Sequence, residues 1–140
     1  MLLSKYITGI GMSPTASFGQ KTISENLLFN LRTHFDNEGE AYEVHIEWTP
    51  DKNNLDAMLP DVVIFKQDKT IACIIIEVCS KKQLPDIKKK IGELLDQYGK
   101  MHEAFIYVWD KKEWYMYGVD ADEDIPSYSN ILEIDLNDFI

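Results

Sequence analysis

The chain has 140 residues, 45% hydrophobic and 27% charged, the balance of one ordinary globular domain over residues 1–140 that buries a core without disulfide or metal staples. Its formal net charge of −10 argues against a broad basic face for nucleic acid, though not against a local basic strip, because phosphate binding draws on Lys and Arg displacing counterions. The apolar run Ile71 to Ile76 is far shorter than the roughly 18 residues of a membrane span, and no basic-then-apolar leader is read, so a soluble cytoplasmic protein with no membrane partner is expected.

After a lead containing Ser13 and Pro14, Leu27, Leu28, Leu31 and Phe35 recur at helical spacing and predict a helix over Thr22 to Asn37. Thr22 and Glu25 form a T-x-x-E capping box at its expected start. Tyr42, Val44, Ile46 and Trp48 alternate with Glu43, His45 and Glu47, the period of a half-buried strand. Thr49 to Pro60 reads as a polar loop. A hairpin follows: Asp61 leads into Val62 to Phe65, a polar turn spans Lys66 to Thr70, and a long apolar strand runs Ile71 to Cys79. Pro85 opens a second helix with Ile87, Ile91, Leu94, Leu95 and Tyr98 on one face and Gly99 as its C-cap. Ala104 to Trp109 and Glu113 to Val119 predict two strands about the Asp110-Lys111-Lys112 turn, with Ile131 to Leu136 as a candidate terminal strand. The pattern is of the α/β class, a central mixed β-sheet flanked by helices, which would bury both helical stripes and the Ile71 to Ile76 run.

Cys73 and Cys79 lie about 20 Å apart along one predicted strand at 3.3 Å per residue, too far to bond to each other, and their usage suits a reducing compartment. His34, His45 and His102 fall in three different elements, and no Cys or His pair has zinc-ligand spacing. Lys81, Lys82, Lys88, Lys89 and Lys90 form a local basic strip just after Glu77; a solvated helix face is its simplest meaning.

Asp61 and Glu77 carry the chemistry. A carboxylate at the edge of so apolar a segment loses hydration, at a cost of several kcal/mol, unless a cation, a metal or hydrogen-bond donors compensate. A turn centred near Asp68 would set Asp61 opposite Ile75 and diagonal to Glu77, with alpha carbons about 7 to 8 Å apart, close enough for one divalent ion to bridge both. Plainer readings stand beside this: Asp61 as a turn or strand-start residue, and Glu77 as half of an ion pair with Lys81 or Lys89.

The order of elements, with Pro60-Asp61 and Glu77-Val78-Cys79, resembles the PD-(D/E)XK nuclease superfamily. More narrowly, Leu59 to Ile64, Ile75 to Ser80, Asp86 to Lys90, Tyr98, and Ile106 to Asp110 resemble the Uma-type restriction endonuclease family, and Ser17 to Gln20 fits too. The resemblance runs from about Ser13 to Tyr117. It implies a restriction-endonuclease-like core and Mg²⁺-dependent hydrolysis of DNA phosphodiesters, with Asp61 and Glu77 as metal ligands and a lysine two residues after the glutamate. Here Cys79 stands at that position, and a thiol does not replace an ammonium in stabilising phosphorane charge. Lys81 is the expected replacement, since alternation puts it on the face of Glu77 and Cys79 if the strand continues; Lys89 or Lys90 on the next helix is the other route. Glu25 is a candidate third ligand, its capping box the competing role. Two rivals remain: a nuclease-fold module without turnover that forms a homodimer or binds a protein partner, and a subunit that cuts only when a partner supplies the DNA surface. The acidic balance favours both over a free-standing nuclease.

Overall fold

The computed structural model describes residues 18–46, 59–66, 74–98, 103–118 and 125–140. The expectations for Ser13 to Ser17, for Trp48, for the 49–58 loop, for Ile71 to Cys73, and for Gly99, His102 and Val119 lie outside them. Helix α1 (Phe18–Glu38) is followed by strands β1 (Tyr42–Ile46), β2 (Val62–Lys66) and β3 (Ile74–Cys79), helix α2 (Leu84–Tyr98), and strands β4 (Glu103–Val108) and β5 (Glu113–Gly118). These five strands form one mixed sheet in the order β1-β2-β3-β4-β5. The pairs β1–β2, β2–β3 and β4–β5 are antiparallel, whereas β3 and β4 are parallel. A parallel neighbour needs a crossover, and α2 supplies it.

Side-chain alternation divides the core into two layers. Val62, Ile64, Ile74, Ile76 and Val78 point to one face and pack with Leu27, Leu31 and Phe35 of α1. Val63, Phe65, Ile75, Cys79, Ala104, Ile106 and Val108 point to the other and meet Leu84, Ile91 and Leu94 of α2. A central sheet with a helix on each face is therefore what the chain builds, and β3 and β4, buried along their whole length, lie at its middle.

Three local expectations are corrected. Helix α1 is already formed at Phe18, so Thr22 and Glu25 sit inside it and cap nothing. The early start lets Gly19 lie against Trp109: a Cβ built there would be 3.1 Å from the indole Cε3. The expected strand at Ile131 to Leu136 shrinks to β7 (Ile134–Asp135), which pairs with β6 (Tyr128–Ser129) in a separate two-stranded sheet. The rest of that apolar set, Leu132 and Leu136, packs into the α1-side core instead.

Candidate functional site

Asp61 precedes β2 by one residue, and Glu77 is the fourth residue of β3. The register pairs Val62 with Ile76 and Val63 with Ile75, which sets Asp61 opposite Glu77 and not opposite Ile75. The hairpin is thus centred one residue later than the sequence suggests, a shift that brings the two carboxylates closer. Residues directly opposite in an antiparallel pair share a face, and here the shared face is the one α2 covers, since Val63, Ile75 and Cys79 lie on it.

Both carboxylates are buried, Asp61 at 3% and Glu77 at 0% exposure. At this end of the hairpin, side chains bond to backbone: the Asp61 N–H donates to Glu77 Oε2 at 3.2 Å, and the Val78 N–H donates to Asp61 Oδ2 at 2.8 Å. Lys90 of α2 closes the cluster, its Nζ donating to Glu77 Oε1 at 2.6 Å. The ammonium is itself largely buried, its side chain 15% exposed. One ammonium faces two carboxylates.

That imbalance governs the protonation of the site. Burial pushes the Glu77 carboxyl up to about 8, the charge of Asp61 adds to the rise, and Lys90 opposes it. Burial likewise raises Asp61, against Lys90 and the Val78 N–H. The close Lys90–Glu77 contact and the raised Glu77 pull in opposite directions; desolvation of two adjacent carboxylates outweighs a single ammonium. Cys79, next on the same face of β3, has its thiol pushed up to about 12 by burial and by the charges of Asp61 and Glu77. It is a neutral core group and not a nucleophile.

Lys81 does not join them. The strand ends at Cys79, Ser80 leads into a 3-10 turn at Lys81–Gln83, and alternation no longer applies. The Lys81 N–H donates to Asp110 Oδ1 at 2.9 Å, while Nζ donates to Glu113 Oε1 at 3.3 Å and to the Tyr115 hydroxyl at 3.1 Å. Glu25 is exposed on α1, in the layer on the other side of the sheet. Lys89 is exposed as well, so of the two helix lysines Lys90 is the one that reaches inward. A signal for that choice exists in the sequence. At about 100° per residue, Lys88 and Lys90 flank the Leu84–Ile87–Ile91–Leu94 stripe on opposite sides, and Lys89 points away from it.

Among the described residues, no group of three or more His, Cys, Asp or Glu side chains is arranged to hold a metal ion. The donor set is the carboxylate pair. Mg²⁺ suits such a set, because it takes hard oxygen ligands, is held by one or two carboxylates, and keeps waters or substrate phosphate oxygens in its other positions. No family model matches the chain, and no curated protein matches it.

Proposed function

We propose that this protein is a divalent-metal-dependent phosphodiester hydrolase acting on DNA, built on a restriction-endonuclease-like core. The observation that carries the reading is the meeting of Asp61, Glu77 and a lysine ammonium in one cluster under α2. The order β1-β2-β3-β4-β5, with β3 and β4 parallel across α2, supports this reading. Asp61 and Glu77 would hold Mg²⁺, which when bound supplies a polarised phosphate and a water of lowered pKa. Lys90 has two tasks: it keeps Glu77 oriented through the 2.6 Å contact, and it puts positive charge beside a phosphate held at the pair. Cys79 moves no proton, its thiol being buried and neutral.

A second reading has its own support. Glu77 is completely buried and already ion-paired, so the cluster also suits a structural role in a fold that binds partners without turnover. Plasmid nicking with Mg²⁺ or Mn²⁺ separates the two. The hydrolase reading expects cleavage by the wild type, its loss in Asp61→Ala and Glu77→Ala, a fall of about 10²- to 10³-fold in Lys90→Ala, and little change in Lys81→Ala. An inert wild type on supercoiled, duplex and single-stranded DNA across several metals would leave only the binding module.

A further inference from the structure

Two of α2's three lysines, Lys88 and Lys89, turn away from the carboxylate pair. Lys88 lies on the flank opposite Lys90, and its Nζ sits 5.0 Å from the centroid of the Tyr115 ring on β5. Lys81 reaches the same tyrosine through its hydroxyl, at 3.1 Å. The bond from the Lys81 N–H to Asp110 ties this turn to the β4–β5 turn, which carries Lys111 and Lys112. Lys82, beside Lys81 in the same turn, and Lys89, on the outer face of α2, are exposed as well.

These six lysines are a large share of the 14 Lys and Arg residues in a chain of net charge −10. Four carboxylates accompany them, Asp86, Asp110, Glu113 and Glu93, the last one helical turn from Lys89 on the outer face of α2, and Lys81 already engages Asp110 and Glu113. Six ammoniums against four carboxylates leave the patch positive by two. Lys82, Lys89, Lys111 and Lys112 make no ion pair or hydrogen bond through their ammonium groups with the described residues. Lysines on a merely solvated face gain from spreading apart or pairing with acids. Here Lys81 and Lys88 both meet one tyrosine, Lys81 pairing with Glu113 as well, and the other four are left available.

We propose that this patch, centred on Tyr115 and separated from the Asp61–Glu77 pair by the body of α2, holds the phosphate backbone of a nucleic acid. The patch needs no metal. Only the choice of nucleic acid as the polyanion rests on the hydrolase reading; the binding itself is independent of turnover. Lys89, on the outer face of α2 between Lys88 and Lys90, provides a continuous basic path from the patch across the helix toward the pair. Backbone contacts of this kind position a duplex without reading its sequence.

The test is equilibrium binding of a fluorescent duplex to the full chain in EDTA, over a series of salt concentrations. The wild type is expected to bind at low salt with an affinity that falls steeply as salt rises. Lys82→Ala/Lys88→Ala/Lys111→Ala together should weaken binding at least about tenfold and reduce the log–log salt slope by about two to three, near 0.9 for each phosphate no longer neutralised. Lys21→Ala/Lys66→Ala, exposed elsewhere, should do neither. Thermal melts establish that each variant is folded. Absence of wild-type binding at low salt, or a triple variant with unchanged affinity and slope, overturns the proposal. So does poly-glutamate competing as effectively as DNA, which would assign the patch to an acidic protein. Because no metal is present, failure here is distinct from failure of hydrolysis, and a metal-induced thermal shift abolished by Glu77→Ala would still stand.

Discussion

Glu77 concentrates the energetic tension of the molecule in one side chain. Its carboxyl sits at about 8 in the folded protein against 4.5 when unfolded, so between these values the native state binds more protons than the unfolded chain. Stability then falls as pH rises through that window, the reverse of the behaviour of a carboxylate with a depressed folded value. The metal-free protein is expected to melt highest near the lower end, around pH 5, and progressively lower toward pH 8. Glu77→Gln should flatten that slope, as followed by circular dichroism at fixed ionic strength. A saturating divalent cation should offset it too, since binding to the native state alone stabilises by mass action. Equal melting shifts with Mn²⁺ in the wild type and in Glu77→Ala would count against the carboxylate pair as a metal site.

At the scale of the element, α2 does two jobs with one register. Leu84, Ile91 and Leu94 bury against β3 and β4, and that anchoring puts Lys90 over Glu77 and Lys88 over Tyr115. Leu94 is fully buried, and its replacement by Ala should cost about 2 to 5 kcal/mol through forfeited transfer energy and an unfilled cavity. Urea unfolding measures this directly. Phe29 on α1 provides the contrast: it is 70% exposed, and Phe29→Ser should change stability by no more than about 0.5 kcal/mol. If Leu94→Ala also weakens the metal-induced stabilisation while Leu31→Ala on the other layer does not, the coupling of α2 packing to Lys90 position is established.

For the whole molecule, the decisive long-range bonds include those that dock the C-terminal segment 125–140. Glu103, at the start of β4 and only 4% exposed, accepts from the Ser129 hydroxyl at 2.6 Å and from the Asn130 N–H at 2.9 Å. The Ser129 oxygen in turn accepts from the Leu132 N–H at 3.0 Å. With Leu132 and Leu136 in the α1-side core, these bonds fasten the segment over that layer. Glu103→Ala removes the acceptor of the Ser129 hydroxyl and the Asn130 N–H, at about 1 to 3 kcal/mol. Limited proteolysis should then cut within 125–140 well before the sheet is attacked. Cleavage indistinguishable from the wild type would show that the apolar contacts alone hold the segment.

Much of this design can be read along the chain, because it depends on local period. The helical spacing of Leu27, Leu31 and Phe35, the apolar run ending at Cys79, and the stripe on α2 each follow from a side-chain repeat that sequence displays directly. Glu77 was legible for a related reason, since a carboxylate inside an apolar strand must find a partner. The identity of that partner was legible only in part: helical period favours Lys90 over Lys89 on α2, but it does not choose between α2 and Lys81. Whether the strand runs on past Cys79 or turns at Ser80 depends on contacts such as that between the Lys81 N–H and Asp110, 29 positions away, and the turn sends Lys81 to Tyr115. The hairpin register is likewise decided by the packing of whole strands, and a centre displaced by one residue moved Asp61 from Ile75 to Glu77. Sequence by itself determined the elements and the buried acids, through periodicity and the cost of desolvation. Only the tertiary structure decided which lysine meets them, because that choice is made by groups distant in the chain competing for the same space and charge.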